Sequence, residues 1–306
     1  MGLDLDSRVA RWGDRTPRGA VIGALRAALG DLRVALCLHR VGPALDGSFL
    51  PAATIEAGKL DTLVELMLAS RRGRDPWLTL TFDDGYADAV EYVASRAARY
   101  PDVEFVVFAC PEKAEKRAGF RWDLVDRDAR QGGDLEESWR RHMGRPLDIL
   151  AENDREELRA VAALPEYRLA TLAELAALRS LPNVALGNHT NCHFKASDLA
   201  PDELAREVER SEADFARLLG APAHFAFPYG WPFLDAERVA LVAARTAAPI
   251  WSTTRRPYPA RERHGRGALP RFVVDGRPGA RGSAASIAAR AAAYRARGPR
   301  HGVEEP

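Results

Sequence analysis

The stretch Trp77-Leu-Thr-Leu-Thr-Phe-Asp-Asp-Gly-Tyr86 decides how the rest of the chain is read. Its first six residues are apolar or β-branched without a polar break, as in a strand buried on both faces, and the run stops at two carboxylates and a glycine. In a parallel β/α fold, such a strand end lies on the face where chemistry is carried. Working outward, residues 33–38, 103–109, 184–188, 224–227, 249–252 and 271–274 read as further strands, seven in all. Between them, residues 55–70, 87–99, 172–179, 202–219 and 235–244 carry apolar side chains at three- and four-residue spacing, the period of helices that cover a sheet.

This alternation predicts an α/β protein, a distorted (β/α)7-type barrel. The stretch of about 111–182 is too long for one crossover and reads as a mostly helical insertion between the third and fourth strands. Residues 1–31 form an N-terminal extension with a helix, 32–275 the barrel, and 276–306 a Gly/Ala/Arg-rich tail whose residues 284–297 read as a peripheral helix.

Composition limits the function. The 306 residues are 46% hydrophobic and 28% charged, as in a globular enzyme, and the net charge of +1 gives no general attraction for nucleic acid or an anionic membrane. No stretch reaches the ~18 apolar residues a membrane span requires, and the charged start MGLDLDSRVARWGDR lacks the apolar core of a secretion signal. A cytoplasmic location is the expectation. Cys37, Cys110 and Cys192, odd in number and scattered, fit a reducing compartment better than a disulfide framework. Nothing in the sequence specifies an oligomeric state.

Three polar clusters follow strands, and the fold brings them to one end. In the first, residues 81–86, Asp83 and Asp84 repel each other in a low-dielectric site unless a cation or proton intervenes. A metal on one leaves the other free as a base. In the second, residues 187–193, His189 and His193 can face one ion if the chain turns between them. With Asp84 they make a two-imidazole, one-carboxylate set that leaves positions open for water and substrate. The third, residues 225–230, ends in a Pro-Tyr-Gly turn able to aim a backbone N–H at an oxyanion.

Blander readings stand beside these. Asp-Asp-Gly is commonly a plain turn, and two histidines four apart can be a solvated pair. Cys192 reads as a small buried filler, and Asp88 as a surface residue on a helix's first turn. His224 faces outward or supports packing. Trp122 and Asp123 either line the cleft or pack a small core within the insertion.

Together TFDDG, HTNCH and FPYG, in that order, resemble the motifs of the polysaccharide deacetylase family, the NodB-homology domain or carbohydrate esterase family 4. VALCLHRVGP is similar to the first strand of the branch beginning with a Tyr-His or Leu-His pair, and the likeness extends from about Val34 to Val274. The resemblance implies that Asp83 is the catalytic base, that Asp84, His189 and His193 hold a divalent metal, and that the Tyr229 N–H serves the oxyanion. Zinc suits these ligands, with iron, cobalt, nickel or manganese as alternatives. The implied reaction removes an acetyl group from an N-acetylated sugar.

Two departures stand out. The arginine that often orients the family's base is replaced by Ala226, and Arg271 in LPRFVV is the expected substitute. No Leu-x-x-His motif supplies the acid that protonates the leaving amine, so His39 and His264 both remain candidates. A small non-sugar amide, cyclic imide or ureide is the alternative substrate, and a noncatalytic carbohydrate-binding relative the remaining reading.

Overall fold

The computed structural model of the protein describes residues 2–50, 53–71, 77–144, 150–230, 233, 235–253, 257–259 and 268–297. Two helices, α1 (Gly2–Arg15) and α2 (Arg18–Leu29), precede β1 (Leu32–Leu38). A two-stranded parallel pair, β2 (Arg40–Val41) with β3 (Thr54–Ile55), leads into α3 (Ala57–Ser70). Then follow β4 (Leu78–Phe82), α4 (Ala87–Arg96) and β5 (Val103–Ala109). The insertion holds α5 (Pro111–Lys116), α6 (Arg121–Arg130), α7 (Leu135–His142) and α8 (Glu156–Ala162), and α9 (Leu172–Leu178) returns the chain to β6 (Val184–Asn188). After α10 (Pro201–Leu219) come β7 (His224–Ala226), α11 (Ala236–Ala243), β8 (Ile250–Ser252), β9 (Tyr258–Pro259), β10 (Leu269–Pro270), β11 (Phe272–Val273) and α12 (Ala280–Arg297).

The main sheet runs β10-β8-β7-β6-β5-β4-β1-β11, all parallel, with β9 antiparallel to the start of β1. Strand β4 is buried at every residue, and its neighbours in register are Leu36 and Phe105 at Leu80, and Leu38 and Val107 at Phe82. Leu78, Leu80 and Phe82 share one face and join the large apolar cluster with α3 and α4, while Thr79 and Thr81 lie on the other, where the Thr81 hydroxyl is buried and hydrogen-bonded.

The ends of the strand order meet. Only Arg271 separates β10, which pairs with β8, from β11, which pairs with β1. Its N–H donates to Ser252 O at 2.8 Å, while Val274 N donates to Cys37 O at 2.9 Å. One short stretch therefore joins both edges and nearly closes the barrel. The seventh strand expected at 271–274 is thus two short strands that change partner at Arg271.

The insertion has a small apolar cluster of Ala118, Leu124, Leu158, Val161 and Tyr167, and meets the barrel where Phe120 and Trp122 pack with Tyr86, Cys110 and Leu169. At the other end of the chain, α12 buries Ala284, Ile287, Ala288 and Ala291 in the same core cluster as Val21 and Leu25 of α2 and Leu63 of α3. This helix begins four residues earlier than its sequence pattern suggests, and its alanine face is not peripheral. It crosses α1 closely at Gly13, where an added Cβ would lie 2.5 Å from that of Ala285. Among the described residues, no helix is long and apolar enough to cross a membrane. All three cysteines are buried and none is in a disulfide.

Candidate active site

Strand β4 delivers two carboxylates to one end of the barrel, and the next peptide separates their surroundings. The Asp83 N–H donates to Leu38 O at 2.8 Å, extending the β1–β4 ladder by one residue. Its carboxylate takes a forked contact from Arg271, Nη1 to Oδ1 at 2.5 Å and Nη2 to Oδ2 at 2.9 Å, and the Cys37 thiol lies 3.4 Å from Oδ2. Arg271 Nη1 also donates to Thr81 Oγ1 at 3.0 Å, and that hydroxyl donates to Leu36 O at 2.9 Å. Both members of the pair are buried. Burial alone would raise the Asp83 pKa, but the surrounding groups, Arg271 foremost among them, together hold the carboxyl well below its usual range. The substitute expected for the arginine missing at Ala226 thus contacts Asp83 directly.

Asp84 turns the other way because its φ is +73°. His193 Nε2 stands 3.0 Å and His189 Nε2 3.6 Å from Asp84 Oδ1, and one ligand atom from each of the three residues lies within 4.8 Å of the others. Asp84 Oδ1 is nonetheless buried without a hydrogen bond of proper geometry. The His189 Nδ1 lies 2.8 Å from Ala226 O, and since a carbonyl only accepts, that nitrogen carries the proton. The Nε2 lone pair is left facing Asp84. Burial pulls the His189 pKa down to about 4, keeping the ring neutral.

This set fits a divalent cation. Ligands bound at ~2.0–2.1 Å around a tetrahedral ion are ~3.3 Å apart, a value the two Asp84 separations bracket. A buried carboxylate oxygen and a neutral imidazole nitrogen facing each other without a shared hydrogen are costly unless a cation lies between them.

The turn carrying the histidines is held from behind. Thr190 and His193 have φ of +63° and +54°, conformations costing roughly 1–3 kcal/mol each for residues other than glycine. Asn188 Oδ1 accepts the Thr190 N–H at 2.9 Å, and Glu207 Oε1 on α10 accepts those of Asn191 at 2.8 Å and Cys192 at 3.2 Å. Asn153 Nδ2 donates to Asn191 O at 3.1 Å, and Lys113 Nζ donates to Asn153 Oδ1 at 2.8 Å. Sequence reasoning missed Glu207, Asn153 and Lys113. Glu207 alone left a signal, since it shares a stripe with Leu204, Val208, Ser211 and Phe215 on α10.

Tyr229, also at positive φ (+62°), puts its ring centroid 5.0 Å from that of His193 and is 36% exposed at the cleft mouth. His39 is half-buried at the end of β1, where one atom each of His39, Cys37 and Asp83 lies within 4.8 Å of the others. The other acid candidate, His264, lies outside the described residues. Asp88, read as a surface residue, is instead partly buried: its Oδ2 accepts Arg40 Nε at 3.0 Å and Nη2 at 2.9 Å. Trp122 and Asp123 lie outside the insertion's own apolar cluster and stand where the insertion meets the barrel beside His193. The indole centroid is 4.6 Å from the His193 ring, and burial pushes the Asp123 carboxyl up to about 7.

A family model described as Polysaccharide deacetylase matches residues 70–246. Among solved structures, a polysaccharide deacetylase from Bacillus cereus is similar at 10% identity and a TM-score of 0.55, over 84% of this chain and 69% of that one. A de-N-acetylase from Aggregatibacter actinomycetemcomitans is similar at 14% identity and a TM-score of 0.54, covering 81% and 97%. A Streptococcus pyogenes deacetylase solved with acetate gives 12%, 0.52, 84% and 98%. Likeness at these identities concerns the fold. Comparison with curated proteins returns no match.

Proposed function

The chain belongs to the polysaccharide deacetylase family, and from that premise we propose that it is a metal-dependent hydrolase removing the N-acetyl group from an N-acetylated sugar or glycoconjugate. One observation carries the reading: the ion-paired carboxylate of Asp83 stands beside the inward-facing set of Asp84, His189 and His193. Asp84, His189 and His193 would hold the metal, zinc by preference. A divalent cation there supplies Lewis-acid polarisation of an acetamide carbonyl and lowers the pKa of water.

Asp83 is the base in this scheme. A carboxylate has about four acceptor positions, and the Arg271 fork and the Cys37 thiol occupy three, leaving one for a proton from the attacking water. Arg271 keeps that carboxylate ionised and fixed in angle. His39, one atom of which lies within 4.8 Å of Asp83 and which is not among the three proposed ligands, is the proton donor to the leaving amine in this reading, while the Tyr229 N–H stabilises the oxyanion.

The test is acetate release and metal content across a panel of N-acetylated sugars and small cyclic amides. Acetate from sugars, with one equivalent of metal, is expected. Asp83→Asn should keep the metal and lose turnover by ~10²-fold or more, whereas Asp84→Asn should lose the metal. Turnover persisting in Asp83→Asn would overturn the base assignment, and ring opening without acetate would move the substrate to cyclic amides.

A further inference from the structure

The two histidines facing Asp84 are held differently. His189 has its Nδ1 tied to Ala226 O, the usual means by which a protein fixes a ligand imidazole. His193 has no such tie among the described residues, since its Nδ1 is buried without a hydrogen-bond partner. Aromatic rings surround it instead. Trp122 meets it edge to face at 4.6 Å and 67°, Phe120 at 5.3 Å and 73°, and Tyr229 at 5.0 Å and 65°.

Trp122 is itself tightly located. Its ring stacks on Phe120 at 4.2 Å and 8°, and its Nε1 donates to Tyr86 Oη at 2.9 Å. An indole N–H only donates, so the Tyr86 hydroxyl receives that bond and passes its own proton toward Asp123 Oδ1, 2.6 Å away. The other Asp123 oxygen accepts the Phe120 N–H at 2.9 Å. Tyr86 in turn lies under the Arg40 guanidinium, 4.8 Å from its ring centroid, and Arg40 is held by Asp88. The relay runs in one direction from indole to carboxylate and leaves the Trp122 ring one position.

We propose that Trp122, anchored through Tyr86 and Asp123, is a positioning residue that fixes the His193 imidazole toward Asp84 in place of a hydrogen bond to Nδ1. The assignment rests on the reading of Asp84, His189 and His193 as metal ligands. It gives the insertion a part in the barrel's site, because the ring that sets one ligand comes from α6.

The test measures Zn²⁺ affinity of the full chain by competition with a chelator, and the visible absorption of the Co²⁺-loaded protein, which reports ligand geometry. Trp122→Leu should weaken Zn²⁺ binding by ~10–100-fold, the usual cost of losing a group that orients a ligand. Tyr86→Phe, which keeps its ring but frees the indole, should weaken binding less and alter the Co²⁺ band. Circular dichroism establishes folding, and should Trp122→Leu fail to fold, Trp122→Phe and Tyr86→Phe decide. Affinity within about twofold of the unaltered protein and an unchanged Co²⁺ band in the folded variants would overturn the proposal. Absence of Zn²⁺ binding by the unaltered protein would instead overturn the reading of the three ligands.

Discussion

Asp83 and Asp84 leave the same strand through one peptide bond, yet they belong to halves of the cleft with opposite character. On the arginine side, the buried charge of Asp83 is answered by a buried cation at 2.5 and 2.9 Å and a thiol at 3.4 Å. On the histidine side, Asp84 Oδ1 and His193 Nδ1 are buried without hydrogen-bond partners, and two imidazoles face a carboxylate. The contrast shows how two adjacent acids can do unlike work. One has its charge answered within the protein and its angle fixed, while the other is left short of charge compensation and is therefore suited to take a cation from outside.

The strongest way to break this comparison is to remove the internal cation. Arg271→Ala should destabilise the fold by ~3–5 kcal/mol in urea unfolding, because Asp83 would stay buried with an unpaired charge, and Arg271→Lys should lose less. A loss below ~1 kcal/mol would mean that the pair is not what makes the Asp83 charge tolerable.

Acid tests the other half. With its pKa drawn down to about 4 by burial, His189 is neutral in the folded protein but binds a proton below ~6.5 once unfolded. The unfolded state then holds more protons, so its share of stability is present above ~6.5 and is lost as pH falls toward 4. Melting temperatures of the metal-free protein should fall through that window, and a flat profile would contradict the burial of the ring. The lowered pKa of Asp83 acts with the same sign at more acid pH, where its pair with Arg271 is lost.

The smallest effect sharpens the contrast. Glu207→Gln keeps an acceptor behind the histidine turn but removes its charge, and should cost ~1 kcal/mol while loosening metal retention more than it affects the Arg271 side. Equal loss on both sides would show that the two halves are mechanically coupled.

Much of this arrangement was legible in the sequence because strands carry their message locally. Strands β5 and β6 have the ends expected from their apolar runs, and each cluster following a strand reached the common end of the barrel. Arg271 was legible as a lone charge at the head of an apolar run. The partner exchange at Arg271 was not, since register is decided by neighbours far along the chain. Nor were Asn153 and Lys113, which sit in polar, helical sequence and acquire meaning only when the insertion folds back onto the turn at Asn191. Asp88 misled for a similar reason: its helix-start position looks solvated until Arg40, 48 residues earlier, arrives beside it.

The stretch that joins β8 to β1 also sets a timetable. Chains emerge from the ribosome amino end first, so Asp83, Asp84, His189, His193 and Tyr229 are all synthesised before Arg271. Until the stretch Leu269–Val273 is laid between its two neighbours, the nascent protein holds both acids and both imidazoles but lacks the guanidinium that pairs with Asp83. Completion of the barrel and pairing of Asp83 are thus a single late event, and an abbreviated chain ending before Arg271 would retain every motif while lacking the cation that pairs with the first of them.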